Sequence, residues 1–254
     1  MKGPSCWSLR SHQAALRTAR LTGNLDLSRP GLGLRQLKVG ADCWHDSHLL
    51  AVQWGNDAVN APRSLSDCYV RGGDLIATYV EESQRPYAPQ VYWRAIGPST
   101  SSVGSAEAQL ELLVSVQTPV LDAQPEMTAT SRIPAVEALH LLDAENGRFS
   151  PLELGAAQTI DSESTTGCLL LRLADGKRSY VEMVHPLDFV QGRLCVSADV
   201  DSVLLSHTLI DCRMEKGVII RTRLRGSFVD RADDMAAATR LFEEFAGSAL
   251  PLSA

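Results

Sequence analysis

The chain lacks most of the features that would place it in a function class at sight. It has no Cys-x-x-Cys pair among its six cysteines, Cys6, Cys43, Cys68, Cys168, Cys195 and Cys212. That removes support for a zinc site or a thioredoxin-type motif. It has no apolar run of membrane-spanning length and no apolar middle to its N-terminus, so neither a membrane helix nor a secretory signal is expected. It has no GxSxG, no phosphate loop, no dinucleotide fingerprint and no HExxH. It has no excess of positive charge: the formal net charge is -6, with no basic tail and no RNA-binding aromatic motif, which argues against a nucleic-acid binder. No internal repeat is present. These absences lead to a cytoplasmic protein with reduced thiols, no cofactor and no metal.

What is present is a long succession of short alternating segments. In QLELLVSVQ, Leu110, Leu112, Val114 and Val116 fall on one side, and Glu111, Leu113 and Ser115 on the other. This is the period of a half-buried strand. Comparable segments lie at 32–39, 49–54, 67–71, 74–81, 90–96, 136–142, 168–174, 178–184, 193–200, 203–214 and 218–229, separated by Gly, Pro, Asn and Asp. Residues 14–20 and 24–27 fit a first ribbon, though AALRTARL could equally start a helix. Residues 1–12 read as a flexible polar leader; the stretch MKGPSCWSLRSHQAALRTAR is basic, serine-bearing and free of acids, in the manner of an organelle transit peptide. Residues 98–106, PSTSSVGSA, read as a mobile loop.

Three hairpins are expected. Gly72-Gly73 and Asp175-Gly176 supply the positive φ angles of tight turns. The third would turn at Glu215-Lys216-Gly217 and set Asp211 opposite Arg221, Leu209 opposite Arg223 and His207 opposite Arg225. One helix is expected within 231–246. Its stripe of Met235, Ala238, Leu241, Phe242 and Phe245 is closed by Gly247. About a dozen strands without helical crossovers give a mainly β fold: a single large antiparallel β-sandwich over 1–254 with a C-terminal α-helix.

Candidate chemistry gathers in few places. GVIIRTRLRGSF puts Arg221, Arg223 and Arg225 on one strand face, where guanidinium forks suit a carboxylate or other small anion. Glu182 is a possible partner for them from an adjacent strand. YVEMVHPLDF holds Glu182, His185 and Asp188, and His185 at a strand end could act as an acid or base. Because Glu182 and His185 are an odd number of positions apart, an unbroken strand points them to opposite faces. ADCWHDSHLL holds Asp42, His45, Asp46 and His48, metal-ligand types without a completing cluster, and reads as a polar loop. Trp93, with Tyr92 in QVYWRA, could stack on a sugar ring. Glu81 and Glu82 are adjacent and face apart, which disqualifies them as an acid pair.

The stretch ARLTGNLDLSRPGLGLRQLKVG, with its first hairpin and Pro-Gly turn, together with the length and the run of strands up to GVIIRTRLRGSF, resembles the galactose-mutarotase-like supersandwich domains. The resemblance is architectural and covers about two-thirds of the chain. That family's arginine-bearing early motif, paired histidine and C-terminal glutamate are not found in matching context, so the resemblance implies sugar binding rather than catalysis. The leading expectation is a non-catalytic carbohydrate- or small-anion-binding protein using Arg221, Arg223, Arg225, His185 and Trp93. The alternatives are a mutarotase- or lyase-like enzyme with His185 as acid or base, and an oligomeric scaffold with an exposed strand edge.

Overall fold

A computed structural model describes residues 5–55, 57–97, 108–155, 157–196 and 202–249. Two nine-stranded antiparallel sheets face each other. The first runs β1 (Trp7–Arg10), β2 (Gln13–Arg17), β3 (Leu21–Asp26), β4 (Leu34–Val39), β5 (Asp42–Trp54), β10 (Glu126–Ile133), β17 (Val203–Asp211), β16 (Gln191–Val196) and β13 (Gln158–Asp161). The second runs β12 (Arg148–Leu152), β11 (Ala135–Asp143), β14 (Cys168–Leu173), β15 (Arg178–Val184), β18 (Ile219–Asp230), β9 (Ala108–Gln117), β8 (Ala88–Ile96), β7 (Asp74–Tyr79) and β6 (Leu65–Arg71). Their facing sides form the main core, from Leu16, Leu25 and Leu34 through Val52, Trp93 and Leu112 to Leu224 and Phe228. This is the expected β-sandwich.

The outer side of the second sheet is half covered by α1 (Asp234–Ala246), which follows a short 3-10 turn at Arg231–Asp233. Ala237, Ala238, Leu241, Phe242 and Phe245 pack on Leu141, Cys168, Leu170, Val181, Met183 and Val229 in a second, smaller core. Met235, expected in the stripe, faces out at 36% exposure. Buried beside it instead is Asp234, whose carboxylate accepts from Arg172 Nε at 2.9 Å and Ser179 Oγ at 2.7 Å. An ion pair therefore fixes the start of the helix, and apolar burial of roughly 1.5–3 kcal/mol per large side chain holds the rest.

The Gly72-Gly73 turn joins β6 to β7 with Arg71 opposite Asp74, as the glycine pair implied. The turn between β14 and β15 is longer than a two-residue one, because Arg172 pairs with Ser179 and leaves 174–177 in the loop around Gly176. The third expected hairpin does not form. β17 pairs with β10 and β16 in the first sheet, β18 with β9 and β15 in the second, and the residues between cross from one sheet to the other. Gly217 is left-handed as expected, φ 88°. Met214, however, is bridged to Ala123, which carries the chain away from β17. Asp211, Leu209 and His207 are therefore not opposite the arginines.

Four strands escaped the periodicity argument. β1 lies inside the segment read as a leader, and its Trp7 is buried with its indole N–H on Gly73 O. β10, EMTATSRI, is central in its sheet but reads polar. Its inward Ser131 stands where a hydrophobe would, because its hydroxyl accepts the backbone N–H of Leu50. β12 and β13 are short edge elements. β5 begins at Asp42, so the segment read as a polar loop is strand. The loop 98–106 lies outside the described residues.

Candidate functional site

Antiparallel register lines up the outer side of β7, β8, β9 and β18 in three rows, and each row ends on one arginine of β18. The first row is Asp74, Arg94, Glu111 and Arg225. Charges alternate along it. Arg94 Nε lies 2.7 Å from Asp74, and Arg225 Nη2 lies 2.6 Å from Glu111, which is 3% exposed. The second row is Ile76, Tyr92, Leu113 and Arg223. It offers no carboxylate. The third is Thr78, Gln90, Ser115 and Arg221, with hydroxyls and an amide but again no carboxylate.

The three guanidinium groups therefore meet different fates. Arg225 is neutralised by Glu111. Arg223 is 1% exposed, and its N–H groups donate to Ser248 Oγ at 3.0 Å, Ser248 O at 3.2 Å and Ala249 O at 3.2 Å, just past the end of α1. Both guanidinium groups lie over the Phe245 ring, at 5.2 Å for Arg223 and 4.4 Å for Arg225. Ser248 and Ala249 follow the negative pole of α1, so the two Nη groups of the buried Arg223 cation find neutral acceptors there, while its Nε has no hydrogen-bond partner. Arg221 is half-buried and bonded to no carboxylate among the described residues; its Nε has no hydrogen-bond partner. It borders a cavity of about 250 Å³ lined also by Thr78, Ala88, Gln90, Tyr92, Ser115, Gln117 and Ile219. Within that lining Gln90 Nε2 donates to Thr78 Oγ1 at 2.8 Å, and Tyr92 Oη donates to Gln90 Oε1 at 2.5 Å.

His185 joins Arg223 but not an open cleft. It is 5% exposed. Its Nε2 lies 3.2 Å from Ala246 O, its Nδ1 accepts from Leu187 N–H at 3.4 Å, and its ring meets Phe245 edge-on. Burial, then the Arg223 charge, push its pKa down, so it is a neutral clamp on the helix end. Asp188 accepts the Arg223 backbone N–H at 3.0 Å, and burial raises its pKa. Glu182 is on the opposite face, as its odd separation from His185 requires, and so is not a partner of the arginines. Trp93 is also on the inner face. It is fully buried, with its N–H on Leu50 O at 3.3 Å, and is removed from any ring-stacking surface. Tyr92, one position away, takes the outer place.

Glu182 belongs to a buried polar group between the sheets that sequence reasoning did not assemble. Its Oε1 lies 3.0 Å from His207 Nε2, and its Oε2 accepts from Tyr180 Oη at 2.7 Å. A signal was available: His207 and Glu182 each occupy a core position in an otherwise apolar alternation. Nearby, the ADCWHDSHLL segment scatters its ligand types. Asp42 pairs with Arg178 at 2.6 Å, and no three metal-ligand types gather anywhere among the described residues. Of the cysteines, Cys168 is fully buried, Cys43 and Cys212 are exposed, and all six are unpaired.

His48 makes a measurable consequence. Burial first, then Arg132 and Arg35 on the two neighbouring strands, lower its pKa to about 4 against the pull of Glu182. The fold therefore holds the neutral ring, while the unfolded chain takes a proton near pH 6.5. Stability from this group is complete above pH 6.5 and is lost as pH falls toward 4, up to about 3 kcal/mol. Urea unfolding of parent and His48→Gln across pH 4–7 should show a shallower acid slope in the variant; equal slopes would contradict this.

No protein-family model matches the chain, and no curated protein matches it. Solved structures do. A galactose mutarotase-like protein from Lactobacillus casei superposes with TM-score 0.57 at 8% identity, covering 85% of this chain and 99% of that one. The proposed aldose 1-epimerase from Escherichia coli K12 gives 0.55 at 9%, covering 84% and 97%. YeaD of Salmonella typhimurium, a proposed mutarotase, gives 0.54 at 9%, covering 86% and 90%. Similarity at this level of identity concerns architecture. The superposition over most of both chains gives this chain the supersandwich architecture of galactose-mutarotase-like proteins.

Proposed function

We propose that the protein binds a carbohydrate or small anion, without catalysis, on the outer side of its second sheet, in the groove ending on Arg221. The observation that supports this most is the contrast within the arginine row. Two guanidinium groups are held by internal partners, Glu111 for Arg225 and the turn after α1 for the Nη groups of Arg223, and the third faces a cavity lined with hydroxyls and amides. A half-buried guanidinium beside neutral polar groups suits a carboxylate or phosphate oxygen pair, and Tyr92, Thr78 and Ser115 can meet sugar hydroxyls. The supersandwich neighbours are named for sugar epimerisation, which is in keeping with a sugar ligand. The packing of His185 against backbone carbonyls works against its use as an acid or base. Six unpaired thiols suit a reducing compartment such as the cytoplasm.

A calorimetric and thermal-shift panel of acidic and neutral monosaccharides, with inorganic phosphate, tests the reading. The acidic members should bind. Arg221→Ala should weaken them by about tenfold or more, while leaving stability within about 0.5 kcal/mol, since this side chain holds no ion pair. Absence of any shift in a folded protein would end the proposal.

A further inference from the structure

We infer that Arg223 and His185 form a second anion subsite, continuous with the Arg221 groove, which the chain's own C-terminal turn occupies until an acidic ligand displaces it. This rests on the reading of Arg221 as the primary anchor. Arg223 sits two positions along the same strand face, so the two guanidinium-bearing positions are about 7 Å apart. A six-carbon sugar diacid, with a carboxylate at each end, can reach across that distance; a phosphate ion cannot.

The occupant is built from acceptors rather than from carboxylates. Ser248 O, Ser248 Oγ and Ala249 O take the Arg223 protons, and Ala246 O takes the His185 Nε2 proton. Ala246 O ends α1 and the other three follow it, so this end of the helix, its negative pole, stands in for an anion. Neutral acceptors bond a guanidinium more weakly than a carboxylate does. No carboxylate among the described residues bonds this guanidinium directly: Asp188 accepts from the Arg223 backbone, and Glu111 is taken by Arg225 and Arg94. A cation fully buried on neutral groups is a site whose internal partner an external anion can outcompete.

The hold on the turn is concentrated in one residue. Ser248 Oγ accepts from Arg223 and donates to Phe245 O at 2.6 Å, so it ties the strap both to the sheet and to its own helix. Phe245 is buried in the smaller core, which anchors the helix body while leaving only the turn beyond Gly247 to move. Displacement therefore means lifting residues 247–249, with Arg223 turning from their carbonyls to the ligand.

The experiment compares parent, Ser248→Ala and Arg221→Ala with two probes, galactarate and inorganic phosphate, by calorimetry, and follows backbone hydrogen exchange over 240–249. Ser248→Ala should tighten galactarate about three- to tenfold, the equivalent of one hydrogen bond removed from the competitor, and leave phosphate unchanged. Saturating galactarate should speed exchange in 245–249 of the parent, and phosphate should not. Galactarate binding that is unaltered in Ser248→Ala, with exchange unaltered or slowed, overturns the displaced strap while leaving Arg221 as anchor. Binding to Ser248→Ala but not to the parent supports it directly. Failure of both probes on both chains removes the primary anchor and this subsite together.

Discussion

Gly226→Ala will cost roughly 3–5 kcal/mol, enough to unfold much of the population of an ordinary domain. Gly226 lies in the middle of β18, opposite Glu182 on one side and Leu110 on the other. A β-carbon built there would stand 2.1 Å from Tyr180 Oη, 2.8 Å from Cζ and 3.0 Å from Cε2. The ring cannot swing aside. It is fully buried, packs on Phe228 at 5.0 Å between centroids and donates its hydroxyl to Glu182. An alanine methyl must therefore push the ring or spread β15 from β18, and moving the ring also strips Glu182 of a donor. Gly72→Ala is the control: its φ is 62° but nothing lies within 4 Å of the added carbon, so it should cost only about 1 kcal/mol of backbone strain. Urea unfolding measures both. A Gly226→Ala protein within about 1 kcal/mol of the parent would refute this packing.

His207→Leu will be nearly as costly, about 3–5 kcal/mol, because it replaces the imidazole that stands 3.0 Å from the buried Glu182 Oε1 with an apolar side chain. The two residues reach across from β17 in one sheet to β15 in the other, at 1% and 0% side-chain exposure. Each is the other's polar surroundings. Glu182→Met alone should be destabilising for the converse reason. The double replacement, which restores an apolar core of similar volume, should recover at least about 2 kcal/mol relative to the sum of the single losses. A double-mutant cycle by chemical unfolding reads that coupling directly, and additive losses would show that the pair does not act as one unit. Tyr180 limits the recovery, since its hydroxyl then loses Glu182.

Both residues were visible as oddities in the chain. Histidine at 207 interrupts Val203, Leu205 and Leu209, and glutamate at 182 falls between Tyr180 and Val184. Alternation told which side of its own strand each occupied. It could not tell that the two strands lie in opposite sheets and face each other, because that depends on strand order across the sandwich rather than on neighbours in sequence. The same limit produced the mistaken hairpin. The loop at Glu215–Gly217 carries the right residues for a tight turn, but a bridge from Met214 to Ala123 sends the chain to the other sheet. Local turn chemistry is cheap beside the burial of both faces of β18.

By itself the sequence determined the β-sandwich, most of the strands, the helix at 234–246 and the common face of the three arginines, because each rests on a period of two or 3.6 residues along one segment. Tertiary structure alone decided what those arginines do. Register across β7, β8 and β9 gave Glu111 to Arg225, Leu113 to Arg223 and Ser115 to Arg221, and the end of α1 fell on the middle one. The charge on a side chain is written in the chain; whether it is spent on an ion pair, on a helix pole or left facing a cavity depends on partners dozens of residues away, which only the packed sheets bring within reach.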